Sequence, residues 1–195
     1  MQPIEDKPAL ILICGYARAG KDTLGDGILD GAARPAVKVA LAEPLKDSAE
    51  SAIREILGGV RFPGFADPGF KTANRNLLVE LGRTCRAIHQ DCFVELAIER
   101  AKAYLKAGAS VVITDVRYTN ELQRFFDYAK FNRVHLHCLL IETAGVEAAN
   151  EEERTNQAML MIRAQDIWAD RSRWQPNQAA AINLHGKELA RRFRI

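Results

Sequence analysis

The sequence lacks the features that would place it in a membrane or among disulfide-stabilised proteins. Only four cysteines occur, at positions 14, 85, 92 and 138, with neither metal-type pairing nor a disulfide pattern. No apolar run approaches the length needed to cross a bilayer, and the first residues lack the basic-then-apolar order of a signal peptide. We therefore expect a cytoplasmic protein with free, buried thiols and no membrane partner.

A strong charge of one sign is also missing. The 27 basic and 25 acidic residues leave a formal net charge of +2, which is too small to attract nucleic acid by bulk electrostatics. The apolar content of 48% is ordinary for a soluble globular protein, and 195 residues suffice for one domain with a substantial core. We predict a single domain over residues 1–195 that has no nucleic-acid partner.

One segment near the N-terminus carries the strongest functional signal. The apolar run 9–14 ends at Gly15, and Gly20 and Lys21 follow at the spacing Gly-x4-Gly-Lys. Glycines let the backbone curl around an anion, and the start of the next helix adds unpaired N–H donors and partial positive charge. This pattern predicts a phosphate-binding loop for ATP, in which Lys21 meets the terminal phosphates. The predicted ATP-binding residues are Gly15, Arg18, Ala19, Gly20, Lys21, Asp22 and Thr23.

The residue after the lysine departs from the usual pattern, in which a Ser or Thr hydroxyl ligates Mg²⁺. Asp22 occupies that position, and Thr23 comes next, where its hydroxyl would reach the α-phosphate. A carboxylate is also a hard oxygen ligand, so Asp22 would hold Mg²⁺ directly or through water. Alternatively, Asp22 positions the attacking oxygen of the acceptor. The alternative is a purely structural role, in which Asp22 and Thr23 only cap the N-terminus of a helix.

Strands and helices alternate along the chain. We predict strands at 9–14, 36–41, 110–114, 133–141 and 179–183, and helices at 21–32, 44–57, 72–87, 91–107, 119–129 and 186–194. This order predicts an α/β protein with the three-layer P-loop NTPase fold, in which helices cover both faces of a mostly parallel five-stranded sheet. The Gly-, Pro- and Phe-rich region 58–75 predicts an acceptor-side flap or a plain surface loop, and the polar, mostly helical region 142–178 predicts a lid.

Two charged residues, Asp115 and Arg117, follow the predicted strand 110–114. Asp115 ends that β-branched strand, where an acidic residue would hold Mg²⁺ or its water shell from the side opposite Asp22. Its alternative role is that of a turn or helix-start residue. Arg117 would point from the same sheet edge into the cleft. We predict that the catalytic residues are Lys21, Asp22, Asp115 and Arg117.

Four motifs, in order within residues 9–123, resemble those of the bacteriophage deoxynucleoside monophosphate kinases. They are Gly15-x4-Gly20-Lys21-Asp22-Thr23 and the segments 40–46, 76–84 and 115–121. The resemblance implies phosphoryl transfer from ATP·Mg²⁺ to a deoxynucleoside monophosphate, in the host cytoplasm if the chain is of phage origin. The resemblance is also compatible with a homodimer as the oligomeric state. By the same resemblance, the acceptor monophosphate is bound by Lys46, Arg86 and Arg117. Arg75 and Arg83 are weaker candidates.

The C-terminal third departs from that family. The lid arginine that would neutralise negative charge in the transition state is therefore predicted to be one of Arg154, Arg163, Arg171 and Arg173. Residues 182–186 resemble the last strand and turn of the family, which would lie near the base of ATP. Three other functions remain open. They are a P-loop kinase with another small phosphorylated acceptor such as phosphomevalonate, a nucleotide-binding switch or assembly ATPase, and a catalytically silent relative.

Overall fold

The computed structural model describes residues 7–163 and 168–195, in which five strands form one parallel sheet in the order β2-β3-β1-β4-β5. The strands are β1 (Ala9–Cys14), β2 (Ala36–Lys38), β3 (Ser110–Val116), β4 (His135–Thr143) and β5 (Trp168–Trp174). The helices are α1 (Lys21–Gly31), α2 (Glu43–Ile56), α3 (Pro68–Ala73), α4 (Arg75–Ile88), α5 (Cys92–Lys106), α6 (Thr119–Asn132), α7 (Glu151–Arg163) and α8 (Ala179–Phe193). The predicted α/β fold is confirmed. Because the strands are parallel, the loops that follow them meet at one edge of the sheet.

Strand β1 lies in the middle of the sheet, and its side chains are buried on both faces. Alternate residues beginning with Ala9 pack among apolar side chains of α1 and α8, whereas those beginning with Leu10 pack among side chains of α5 and α6. This two-residue alternation between two cores follows from strand geometry. The sheet is therefore the middle of three layers, and β1 carries the loop at residues 15–20 to its edge.

Glycines let α1 and α8 pack with their backbones in close approach. A Cβ atom at Gly27 would lie 2.2 Å from the carbonyl oxygen of Asn183, and one at Gly186 would lie 2.5 Å from that of Leu24. Both neighbours are backbone atoms of a second helix, so neither can yield by changing a rotamer. The glycines thus hold α8 against the helix that begins at the loop 15–20.

We expect the substitution Gly27→Ala to destabilise the fold. The new methyl group overpacks the α1–α8 contact, which typically costs about 1–3 kcal/mol and outweighs the gain in helix propensity of about 1 kcal/mol. The free energy of unfolding from urea titration measures the effect. Leu184→Ala, on an exposed part of α8, serves as the control and should change stability by much less. An unchanged midpoint for Gly27→Ala would contradict the close approach.

The prediction was wrong about the last strand. Residues 179–183 belong to α8, and the fifth strand is instead β5, inside the region predicted to be mostly helical. The segment 182–186 is therefore helical and does not form a strand and turn. Among the described strands, β5 pairs only with β4, and its charged residues, such as Asp170 and Arg173, give it no apolar run that would identify a strand. Pairing with β4 supplies the stabilisation that its own composition lacks. Residues 164–167 of the predicted lid region lie outside the described residues.

Smaller differences concern element boundaries. β2 spans three residues rather than six, although the amide of Val39 still donates to the carbonyl of Val112. The helix predicted at 72–87 is divided into α3 and α4. α3 begins inside the predicted loop because the side chain of Asp67 accepts a hydrogen bond from the amide of Phe70 and caps it. Local caps thus shift boundaries without changing the order of the elements.

All four cysteines are free; Cys14 and Cys138 are buried, and Cys85 and Cys92 are partly buried. Burial raises the pKa of Cys138 to about 12. Within the described residues, no helix is both long enough and apolar enough to cross a membrane.

Candidate active site

Residues 15–20, here called the glycine loop, connect β1 to α1. Gly15, Arg18 and Gly20 have φ angles of +151°, +67° and +93°, which bend the chain tightly before the helix starts. A Cβ atom at Gly15 would lie 2.4 Å from the carbonyl oxygen of Ile141 in β4, so only glycine fits there. The predicted strand–loop–helix unit is confirmed, and it sets the loop against the first turn of α1.

Lys21 is folded back against the glycine loop. Its side chain is nearly buried, and Nζ donates to the carbonyl oxygens of Gly15 at 2.8 Å and Tyr16 at 2.7 Å. Burial lowers the pKa of Lys21, and the positive charge of Arg117 lowers it further. The nearby negative charges of Glu153 and Asp22 oppose this lowering of the Lys21 pKa.

Asp22 stands beside the loop with an accessible carboxylate. Its side chain is 78% exposed, and Oδ1 accepts a hydrogen bond from the hydroxyl of Thr114 at 2.8 Å. Lys38 Nζ lies 3.7 Å from the same oxygen and 2.7 Å from Asp26. The N-cap residue of α1 is Gly20, which has no side chain to accept a capping hydrogen bond. Thr114, at the end of β3, is a partner of Asp22 that the sequence did not reveal.

Asp115 binds backbone amides. Its two oxygens accept hydrogen bonds from the amides of Leu41 at 3.0 Å and Ala42 at 3.1 Å, which ties the end of β3 to the start of α2. A carboxylate offers about four lone-pair sites, so these two bonds leave capacity for a further donor. Within residues 7–163 and 168–195, no group of three or more His, Cys, Asp or Glu side chains could hold a metal ion. The magnesium role of Asp115 stays a prediction.

Glu121 lies next to Arg86 and Arg117, the two arginines predicted to bind the acceptor. The sequence analysis assigned it no role. It is 3% exposed, and Oε2 accepts hydrogen bonds from the amides of Arg117 at 2.8 Å and Tyr118 at 3.1 Å. Oε1 lies 3.9 Å from Nη2 of Arg86. Glu121 is the third residue of α6 and accepts the amide of the N-cap residue Tyr118, which is the glutamate half of a capping box. Tyr118 is not the Ser or Thr that this motif requires, so the sequence gave only a partial signal.

Arg86 is held between two aromatic rings. Its guanidinium lies 4.8 Å from the ring centroid of Phe93 and 4.6 Å from that of Tyr118, within the range of cation–π attraction. Together with Glu121, these rings fix the orientation of Arg86. The side chain of Arg86 and the backbone amide of Arg117, two residues predicted from the resemblance, thus meet one buried carboxylate.

We expect Glu121 to make stability depend on pH. Burial raises the pKa of Glu121 from 4.5 to about 7; the nearby charge of Asp115 adds to this, while the two amides and Arg86 oppose it. A raised carboxyl pKa means that the folded state binds the proton more tightly, so this stabilisation is present below pH 4.5 and is lost as the pH rises through about 7.

Glu121→Gln cannot titrate, and it isolates this effect. Relative to the variant, the unchanged protein should lose roughly 3 kcal/mol of unfolding free energy between pH 4.5 and pH 8, measured by urea titration at each pH. Parallel pH curves for the two proteins would contradict the raised pKa. Gln also suits this helix position, so the variant should fold.

The predicted flap is ordered around aromatic side chains. Phe62 and Phe65 both contact the ring of Phe70, at centroid distances of 5.4 and 5.3 Å. Phe65 is buried, and its amide donates to Glu50 Oε1 on α2 at 2.5 Å. The region therefore packs against α2 rather than running free. Arg75 is exposed at the start of α4, and Lys46 lies one turn after Ala42 on α2.

The predicted lid contains α7, and of its described arginines only Arg173 lines the cavity that adjoins the glycine loop. Arg154 Nε lies 3.7 Å from Glu151, Arg173 Nε lies 2.9 Å from Glu142, and Arg171 is exposed on β5. Among the described residues, no hydrogen bond or ion pair joins any of these three arginines to the loop. The side chain of Arg163 lies outside the described part of the chain.

Acidic residues of α7 make the contact instead. Glu153 Oε1 accepts a hydrogen bond from the amide of Ala17 in the glycine loop at 2.8 Å, and Glu152 Oε1 accepts one from the hydroxyl of Tyr118 at 2.7 Å. Nothing in the local sequence identifies these two glutamates, because their partners are more than thirty residues away in the chain.

A cavity of about 310 Å³ adjoins the glycine loop, which is a size typical of small-ligand sites. It is lined by Tyr16 and by residues that follow or end β4 and β5, including Thr143, Val146 and Trp174. Trp174 Nε1 is buried there without a hydrogen-bond partner. A larger groove of about 750 Å³ lies between α5 and α6, at the end of α6 that leads to β4 and therefore at the opposite edge of the sheet.

No protein-family model matches this chain, and no curated protein matches it in sequence. Among solved structures, the chain is similar to the Mycobacterium tuberculosis APS kinase CysC in complex with AMPPNP and APS, with 11% identity over 94% of this chain and 95% of that chain and a TM-score of 0.47. It is also similar to a protein from Chloroflexus aurantiacus provisionally assigned as a kinase, with 12% identity over 95% of this chain and 97% of that chain and a TM-score of 0.45. At these values, the similarities carry no argument about reaction or substrate.

Proposed function

We propose that this chain transfers the γ-phosphoryl group of ATP to a deoxynucleoside monophosphate, which yields the diphosphate and ADP. The observation that carries the proposal is the glycine loop, where Gly15, Arg18 and Gly20 have positive φ angles and Lys21 Nζ donates to the carbonyl oxygens of Gly15 and Tyr16. Such a loop offers backbone amides and a lysine charge to the phosphates of a nucleotide. Arg117, directly after β3, and Arg86, beside Glu121, would supply the charge that a second phosphate-bearing substrate needs.

The donor side would consist of the glycine loop and Lys21. Backbone amides and the N-terminal end of α1 favour the phosphates of ATP, and Lys21 would exchange its two carbonyl partners for the terminal phosphate oxygens. The adjoining cavity would take the nucleoside part of ATP, where the side chains of Tyr16, Val146 and Trp174 offer apolar contact.

The residues present fit Mg²⁺. Asp22 is an exposed hard-oxygen ligand next to the loop, whereas Asp115 already accepts two amides and would act through a bound water. When bound, Mg²⁺ would neutralise charge on the β- and γ-phosphate oxygens. The chain's own part is to keep Asp22 oriented, which Thr114 does through its hydroxyl.

The acceptor side would consist of Arg117 and Arg86, with Lys46 near them. Arginine binds a phosphate through two parallel hydrogen bonds and keeps its charge at all relevant pH values. Glu121 and the rings of Phe93 and Tyr118 orient Arg86 before the acceptor arrives. An oxygen of the acceptor monophosphate then attacks the γ-phosphorus in line, a bond to that phosphorus forms, and ADP leaves with the bonding electron pair. No general base is needed because the attacking oxygen is already ionised.

A turnover panel tests this function. ADP release from ATP·Mg²⁺ is measured with each common ribo- and deoxynucleoside monophosphate, with phosphomevalonate, and with no acceptor, and the diphosphate product is identified by chromatography. We expect release well above the no-acceptor rate with at least one deoxynucleoside monophosphate. Equal release without any acceptor would indicate an ATPase, and release only with another phosphorylated acceptor would also overturn the proposal.

A further inference from the structure

Two neighbouring carboxylates in the first turn of α7 contact opposite sides of the candidate active site. Glu153 accepts a hydrogen bond from the amide of Ala17 in the glycine loop, and Glu152 accepts one from the hydroxyl of Tyr118. Tyr118 also covers one face of the Arg86 guanidinium. α7 therefore touches the donor loop and an acceptor-side residue at the same time.

The contact made by Glu153 is of the kind that a phosphate oxygen would make. An anionic oxygen accepts a backbone N–H at 2.8 Å in the middle of a loop that precedes a helix N-terminus. The negative charge of Glu153 also acts to raise the pKa of Lys21, as a bound phosphate would.

Glu153 is held ready for this contact by its own helix start. Its second carboxylate oxygen accepts a hydrogen bond from the amide of Ala149 at 2.6 Å, and its own amide donates to Asn150 Oδ1 at 2.8 Å. These bonds fix the carboxylate relative to the start of α7. The carboxylate can therefore leave the loop only if the start of α7 moves or if the side chain breaks these bonds.

We propose that α7 is a latch in which Glu153 occupies the anion position of the glycine loop, so that polyphosphate and docked α7 exclude each other. A phosphate oxygen that accepts a hydrogen bond from the Ala17 amide would lie in contact with the carboxylate of Glu153. Because both groups are negatively charged, Glu153 would have to withdraw. Because Glu152 is the next residue, this withdrawal also loosens its bond to Tyr118. Donor binding would then free the residue that covers Arg86, which couples the donor and acceptor sites. The latch depends on one part of the proposed function, which is that the glycine loop binds polyphosphate.

Calorimetry of Glu153→Gln tests the latch. Gln keeps the shape of the side chain but removes the charge, so we expect the variant to bind pyrophosphate and ATP about three- to tenfold more tightly than the unchanged protein in magnesium buffer. Glu151→Gln is the matched control, because Glu151 lies in the same turn, is 79% exposed and pairs only with Arg154 among the described residues. Its affinity should equal that of the unchanged protein. Unchanged or weaker binding by Glu153→Gln overturns the latch.

Hydrogen exchange gives a readout that does not depend on turnover. Without ligand, amides of α7 and the Ala17 amide should exchange faster in Glu153→Gln than in Glu151→Gln, and pyrophosphate should speed exchange in α7 of the unchanged protein. If pyrophosphate does not speed that exchange, the latch is wrong even where turnover is normal. If no variant binds polyphosphate at all, the latch and the proposed function fail together. Binding without acceptor-dependent turnover would overturn the function alone.

Discussion

The Lys21→Ala variant is expected to lose turnover by on the order of a thousandfold while it keeps its fold. Lys21 is the only side-chain cation that the described structure hydrogen-bonds to the glycine loop, through Gly15 and Tyr16. A charge placed where negative charge builds up on the transferring phosphoryl group acts most strongly in a cleft that excludes water. Steady-state rates with saturating ATP·Mg²⁺ and acceptor measure the loss.

The fold should survive this change. Burial and Arg117 both lower the pKa of Lys21, which means that its charged form is disfavoured in the folded protein, and its removal relieves that cost. Circular dichroism and the thermal midpoint check this point. Lys102→Ala is the control, because Lys102 lies on α5 and pairs with Glu99 at 3.2 Å, away from the loop. Near-normal turnover in Lys21→Ala would contradict the role of Lys21.

The second large effect is expected from Arg117→Ala, which should raise the KM for the monophosphate on the order of a hundredfold. Two charge-assisted hydrogen bonds to the acceptor phosphate are lost, whereas the KM for ATP should change little. Initial rates over a matrix of ATP and acceptor concentrations separate the two constants.

Arg83→Ala is the matched control for this experiment. Arg83 lies on α4 three residues before Arg86, is 61% exposed and pairs with Glu80 at 2.6 Å. Its loss should leave both KM values unchanged, since an exposed pair contributes little. Arg117→Lys should recover only part of the acceptor affinity, because an ammonium cannot make the two parallel hydrogen bonds. Equal increases in both KM values for Arg117→Ala would contradict its assignment to the acceptor.

The parts of the site that could be predicted depend on local spacing. The apolar run of β1, the glycines at positions 15 and 20 and the lysine that follows are recognisable because their geometry is set within about a dozen residues. The same reasoning placed Arg117 at the end of β3, since the carboxyl ends of parallel strands share one edge.

Other residues could not be assigned in the same way. Glu121 stood within a recognised motif, but its burial and its approach to Arg86 depend on a side chain that reaches the start of α6 from α4. Asp115 was expected near a metal, and its two amide partners come from the segment after β2. The contact of Glu153 with Ala17 spans more than a hundred residues of sequence. Such contacts have no local pattern, because chain folding alone creates them.

The sequence by itself determined the α/β class, the order of the strands through β4 and the strand–loop–helix unit, because hydrophobic periodicity and glycine positions encode local geometry. Only the tertiary structure decided that residues 168–174 form the fifth strand and that residues 179–183 are helical. A polar edge strand is stabilised by its pairing with β4 and not by its own composition. The tertiary structure also decided which carboxylates meet the glycine loop and Arg86, since burial and long-range packing select those partners.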